Sequence, residues 1–180
     1  IRGTAVFGRA IEFSYGSDYN NITNNILSTA MGSASTYSNP IFSNNSMPDN
    51  YNRIENNLIS GGNSGIYLQA NTPAAFYEYG NIVRKNRILN YNSNAVSTTY
   101  QSSVKIENNY MENTSLLSSA RSGIAVSLVY DTSRILNNII IMGGPTSNGG
   151  ISISGTGTAT LPIMVANNFI AKPAGLSGTG

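Results

Sequence analysis

The fold class predicted by this sequence is an all-β solenoid of short stacked strands, and three observations predict it. A phrase of the form apolar, any residue, usually Asn, Asn, any residue, apolar occurs six times: ITNNIL at 22–27, IENNLI at 54–59, VRKNRI at 83–88, IENNYM at 106–111, ILNNII at 135–140 and VANNFI at 165–170. A second phrase, small, apolar, any, usually apolar, keeps step with it as AIEF at 10–13, GIYL at 65–68, AVST at 95–98, GIAV at 123–126 and GISI at 150–153, with PIFS at 40–43 and GLSG at 175–178 as weaker copies. The composition agrees: 26 Asn and 18 Gly in 180 residues favour tight turns, while the strong helix formers Glu, Lys, Gln and Arg are scarce.

The repeat unit can be read element by element. Its first strand is centred on Ile11, Ile41, Ile66, Val96, Ile124, Ile151 and Leu176, spaced by 30, 25, 30, 28, 27 and 25 residues on subtraction. Alternation puts Ile66 with Leu68, Ile124 with Val126 and Ile151 with Ile153 on one face, and Tyr67, Ala125 and Ser152 on the other. The second strand ends at the Asn pair, where the chain must turn within two residues, and the third strand begins after it. The second Asn of each pair is Asn25, Asn57, Asn86, Asn109, Asn138 and Asn168, with steps of 32, 29, 23, 29 and 30 on subtraction, so one structural unit recurs with loops of variable length. Loops at 28–40, 69–81 and 112–122 vary most and are expected to protrude. A single coil cannot bury its inward face, but coils stacked about 4.8 Å apart pair every backbone group with the coils above and below.

These features resemble the right-handed parallel β-helix of pectate lyases, polygalacturonases, phage tailspikes and many bacterial surface proteins, over roughly residues 10–180. The resemblance implies about six coils of three strands, forming one continuous unit over 1–180. It also implies an internal ladder in which the turn Asn side chains at Asn25, Asn57, Asn86, Asn109, Asn138 and Asn168 bond to one another. The Asn-, Ser-, Thr- and Gly-rich style of IENNLISGGNSGIYL and ILNNIIIMGG is further similar to β-helical segments of large secreted Bacteroidetes proteins, often adhesin-like and exported by the type 9 system. The sequence opens at Ile1 inside an apolar phrase and stops in GLSGTG, so it is read as a segment of a longer or processed polypeptide whose other parts are partners.

Composition narrows the chemistry. With no Cys and no His there is no disulfide framework, no zinc finger, no haem histidine and no imidazole-assisted nucleophile. Ten Lys and Arg against eight Asp and Glu leave a net charge of +2, too thin a surplus for a nucleic-acid footprint. The densest apolar run, ILNNIIIMGG at 135–144, is interrupted by two Asn and is too short to span a membrane. Nucleic acid and membrane insertion are therefore not expected, and no cofactor is.

Polysaccharide-degrading β-helices resemble one another in placing the substrate groove on the outward face of the first strand, where glycoside hydrolysis needs two or three carboxylates about 5 to 10 Å apart. Here those positions read Glu12, Phe42, Tyr67, Ser97, Ala125 and Ser152, with one acid among them. Lyase chemistry asks for a base and a cation, which the cluster Arg84, Lys85 and Arg87 supplies, but Lys85 occupies the first Asn place of the turn motif, so a solvated basic corner is the better reading. NNSMPDN at 44–50, centred on Asp49, is the best calcium candidate, yet one carboxylate among amides reads as a turn. GTGTAT at 155–160 reads as a flexible loop. No catalytic residue and no metal ligand is assigned.

Aromatic residues offer another kind of site. Phe42 and Tyr67 are expected to point outward on neighbouring first strands, and the loop AAFYEYGN adds Phe76, Tyr77, Glu78 and Tyr79. Exposed rings beside hydrogen-bonding groups suit sugars, although packing over the core is the simpler role for them. The function expected is a non-catalytic stalk or glycan-binding, adhesin-like segment of a secreted or cell-surface bacterial protein, with a polysaccharide or surface glycan as partner. The alternatives are a fragment of a polysaccharide lyase or glycoside hydrolase whose catalytic residues lie outside the segment, and a tailspike-like receptor-binding fibre.

Overall fold

A computed structural model describes residues 8–31, 34–45, 47–70, 77–113, 122–143, 149–154 and 162–172. Phe76, Leu176 and the stretch 155–160, as well as parts of the three variable loops, lie outside the described residues.

Every described strand pairs in parallel with its counterpart in the next coil, giving three sheets and no helix among the described residues. The first sheet stacks β1 (Arg9–Phe13), β4 (Asn39–Asn45), β7 (Ser64–Ala70), β11 (Asn94–Ser102), β14 (Ser122–Tyr130) and β17 (Gly149–Ser154), with the short β8 (Glu78–Tyr79) joined to the end of β11. The second stacks β2 (Asn21–Thr23), β5 (Arg53–Glu55), β9 (Ile82–Arg84), β12 (Lys105–Glu107), β15 (Arg134–Leu136) and β18 (Met164–Ala166). The third stacks β3 (Ile26–Ser28), β6 (Leu58–Ser60), β10 (Arg87–Leu89), β13 (Tyr110–Asn113), β16 (Ile139–Met142) and β19 (Phe169–Ala171).

Register follows the sequence motifs. Ile11, Ile41, Ile66, Val96, Ile124 and Ile151 stand directly over one another in the first sheet. Ile22, Ile54, Val83, Ile106, Ile135 and Val165 do so in the second. Leu27, Ile59, Ile88, Met111, Ile140 and Ile170 do so in the third. These rows meet in the centre as a dry core, and each buried Ile or Leu contributes about 2 kcal/mol. Burial falls off at the ends of the described rows, where Ile11 and Ile151 are partly buried and Val165 and Ile170 are exposed.

The small residue that opens the first-strand phrase has a steric cause. A Cβ on Gly65 would stand 2.4 Å from Ile88 Cγ2, one on Gly123 2.3 Å from Ile140 Cγ2, and one on Gly150 2.4 Å from Ile170 Cγ2. The third-strand Ile fills the space where that side chain would go, so the two sequence markers keep step because they pack against each other.

Candidate functional site

Each second strand lies between two corners. At the corner that follows it, the first Asn of the pair takes a left-handed backbone: φ is 59° at Asn24 and 55–56° at Asn56, Asn108, Asn137 and Asn167, with Lys85 at 54° in the same role. Asn tolerates this conformation better than other residues bearing a side chain. The second Asn points inward and forms an unbroken ladder. Nδ2 donates to the next Oδ1 at 3.1 Å from Asn25 to Asn57, 3.0 Å from Asn57 to Asn86, 3.1 Å from Asn86 to Asn109, 3.0 Å from Asn109 to Asn138 and 2.9 Å from Asn138 to Asn168. Each Nδ2 from Asn57 onward also donates to a second-strand carbonyl of the preceding coil, such as Val83 O at 2.9 Å from Asn109.

The corner that precedes the second strand repeats this device in a less regular form. Tyr19, Tyr51, Gly80 and Ser103 have φ of 58°, 56°, 66° and 56° and are followed by Asn20, Asn52, Asn81 and Val104. Asn20 Nδ2 donates to Asn52 Oδ1 at 3.0 Å, and the Asn52 N–H donates to Asn81 Oδ1 at 2.9 Å. The amide ladder then stops at Val104, whose own N–H donates to Ser133 Oγ at 3.1 Å.

The left-handed residues at this corner carry an aromatic edge. Tyr19 is 71% exposed and Tyr51 47%, and their rings stack with centroids 5.0 Å apart and planes 14° from parallel. The opposite face of Tyr51 lies over Gly80, where a Cβ would be 2.6 Å from Tyr51 Cδ1, so the ring needs a glycine beneath it. Tyr79 and Tyr15 are exposed too, and the Tyr51 N–H donates to Tyr79 O at 2.7 Å. Polar side chains line the same edge: Asp18 Oδ1 accepts the Asn50 N–H, and Asn50 Oδ1 accepts the Tyr79 N–H at 2.8 Å.

Beneath the edge lies a buried polar cluster. Ser43 Oγ is 2.7 Å from Asp49 Oδ2 and 3.1 Å from Glu78 Oε1. Gln101 Nε2 and Asn81 Nδ2 donate to Glu78 Oε2 at 2.6 and 3.1 Å, and the Ser17 N–H donates to Asp49 Oδ1 at 2.7 Å. Burial pushes Glu78 up to about 7, reinforced by the nearby Asp49 carboxylate and partly opposed by the hydrogen bonds from Gln101 and Ser43.

The residues singled out from sequence divide between these places. Phe42 and Tyr67 do occupy the outward row of the first sheet, stacked at 5.4 Å and 10°. The expectation that Phe42 is exposed is corrected, because the Arg9 guanidinium lies 3.8 Å from its ring centroid and Tyr37 leans on it at 6.5 Å, leaving it 3% exposed. Tyr67 is half-buried with its hydroxyl bonded to Gln69. Tyr77 is half-buried against Tyr100 at 5.9 Å. Glu78, expected beside the rings at the surface, is instead fully buried, since β8 pairs with β11 and directs it at Gln101. Tyr79 is exposed and joins Tyr19 and Tyr51, which the sequence reading missed.

The basic cluster is dispersed. Arg84 pairs with Glu55 at 2.9 Å, Arg87 lies over the Tyr110 ring at 5.6 Å and Lys85 is exposed. Burial pushes the Glu55 carboxyl up, but Arg53 and Arg84 outweigh it and hold it below its ordinary value. Asp49, the proposed turn residue, is buried among the partners named above. No group of three or more Asp, Glu, His or Cys suited to a metal ion occurs among the described residues.

Comparison with known families adds one match. The family model described as right handed beta helix region covers residues 6–170, and the chain belongs to that family. No curated protein and no solved structure matches the chain.

Proposed function

We propose that this right-handed β-helix is a rigid, non-catalytic stalk with a glycan-binding edge, acting within a secreted or cell-surface bacterial protein of adhesin type. The observation that carries the reading is the stacked and exposed pair Tyr19 and Tyr51, with the exposed Tyr79 joined to Tyr51 through the backbone. Sugar rings present apolar C–H faces to aromatic rings while their hydroxyls take hydrogen bonds, and here the carboxylate of Asp18 and the amide of Asn50 border the rings. Preorganisation favours such contact. The left-handed backbone, the ring-on-ring packing and the glycine under Tyr51 hold the edge in one shape before ligand arrives. The Asn-rich phrases similar to exported Bacteroidetes β-helices support the surface location and type 9 export.

A glycan array on the purified chain tests the proposal, with uronate release followed on every hit. Binding without turnover that falls at least tenfold in Tyr19→Ala, with circular dichroism unchanged, supports the edge as the site. Binding unaffected by Tyr19→Ala, or no binding to any glycan, overturns it, and turnover overturns the non-catalytic reading.

A further inference from the structure

The buried cluster under the first corner has a hydrogen to account for. A serine hydroxyl has one proton to donate, yet Ser43 Oγ stands within hydrogen-bond distance of two carboxylate oxygens, Asp49 Oδ2 at 2.7 Å and Glu78 Oε1 at 3.1 Å. Given to Asp49, the nearer oxygen, that hydrogen leaves the contact with Glu78 as two lone-pair oxygens facing each other. A second proton, on Glu78 Oε1 and donated to Ser43 Oγ, completes the chain Glu78 to Ser43 to Asp49. The rest of the geometry agrees with this placement. Glu78 Oε2 takes both amide donors, Gln101 Nε2 and Asn81 Nδ2, as the carbonyl oxygen of an acid would, and leaves Oε1 for the proton.

We propose that Asp49 and Glu78 hold one proton between them through the Ser43 hydroxyl, and that its loss loosens the first corner, making this stretch of the solenoid sensitive to pH. The groups that face Glu78 can be named element by element. β4 supplies Ser43, the segment after it supplies Asp49 through its carboxylate and its backbone N–H, the turn after β8 supplies Asn81, and β11 supplies Gln101. Asp18 belongs to the exposed edge one coil earlier, and Asp131 bonds to Ser102 one coil later. No cation among the described residues compensates Glu78. An ionised pair would set two negative charges in a pocket closed to solvent, with Ser43 able to satisfy one of them.

The sign of the effect follows from linkage. Glu78 binds its proton more tightly in the folded chain, at about 7, than at its ordinary value of 4.5. The stabilisation is therefore complete below 4.5, declines as pH rises between these two values, and is gone above about 7. This inference does not depend on what the tyrosine edge binds.

Urea unfolding of the purified chain across that pH window tests it, beside Glu78→Gln and Asp49→Asn. The wild type is expected to lose stability as pH rises through the window, Glu78→Gln to lose most of that slope and to exceed the wild type at the alkaline end, and Asp49→Asn to shift the decline to lower pH. The same slope in wild type and Glu78→Gln overturns the proposal. So does a Glu78→Gln that is the less stable of the two at alkaline pH. The infrared band of a protonated carboxylic acid in the folded wild type near neutral pH gives a readout needing no variant, and its absence overturns the shared proton. Amide exchange locates the effect: protection at Ser17 and Asn52 is expected to fall with rising pH relative to Asn86 and Asn109, and parallel behaviour at both corners overturns the loosening.

Discussion

The two corners that flank every second strand use the same backbone device and differ in how far it repeats. At the second corner, a left-handed residue and an inward Asn recur in all six described turns, and the ladder from Asn25 to Asn168 has no gap. At the first, the amide ladder holds through Asn20, Asn52 and Asn81 and then gives way to Val104. A fully satisfied ladder leaves no room for other chemistry, because each amide is committed to its neighbours above and below. The shorter ladder of the first corner does leave room: the coils that keep it carry exposed rings on the outer side and a carboxylate pair on the inner side, and the described coils from Val104 onward do not repeat them. Regularity thus supplies the scaffold, and the irregular corner supplies whatever distinguishes one coil from the next.

The largest expected effect compares one ladder residue from each corner. Asn109→Ala deletes four hydrogen bonds: two donated by Nδ2, to Asn138 and Val83, and two accepted by Oδ1 from the Asn86 backbone and side chain. Asn86 is itself buried, so its backbone N–H and one of its two Nδ2 hydrogens are left without water or partner, the other keeping Ile54 O, and the expected cost is about 3 kcal/mol in denaturant unfolding. Asn52→Ala removes the acceptor of two Asn20 donors and one bond to Ser17 O, but Asn20 is exposed and water replaces part of the loss. Its expected cost is about 1.5 kcal/mol. Equal costs would show that the two ladders contribute alike and that burial of the neighbour does not decide the penalty.

Gly80→Ala sharpens the comparison at the first corner. The substitution combines a positive φ of 66° with a Cβ 2.6 Å from the Tyr51 ring, and since that ring is partly exposed, it can swing away. The expected stability loss is about 1 kcal/mol, with the Tyr19 and Tyr51 stack broken. Near-ultraviolet circular dichroism reads the stack directly. An unchanged tyrosine signal would mean that the glycine does not set the ring's position.

How much of this was legible in the sequence depends on whether a residue's environment repeats. The core rows and the Asn ladder sit at the positions the motifs assign, because each coil poses the same steric problem and answers it with the same residue types. Asn20, Asn52 and Asn81 also lie five residues before Asn25, Asn57 and Asn86, a signal present in the sequence but hidden by Val104, Ser133 and Ile163 in the equivalent places. Phe42 was placed on the correct face, yet its exposure is set by Arg9 and Tyr37, contacts that no alternation pattern encodes. Glu78 sits in a two-residue strand ending at a left-handed glycine, too short for alternation to say which way its side chain points. Non-recurring contacts between coils were illegible for the same reason that recurring ones were plain.

The smallest expected effect lies at the single irregularity of the regular corner. Lys85 holds a left-handed φ of 54° where the other five turns place Asn, and its side chain is exposed. A lysine there meets the steric penalty of the left-handed region without the short polar side chain that offsets it. Lys85→Asn is therefore expected to stabilise the chain by about 0.5 kcal/mol, and the reverse exchange Asn108→Lys, at a φ of 56° on an equally exposed turn, to destabilise it by a similar amount. Paired urea midpoints measure both. Opposite and equal shifts would establish that the first Asn of each pair is chosen for its backbone alone, whereas a loss of stability in Lys85→Asn would mean that the lysine at this coil makes a contribution the other five turns do without.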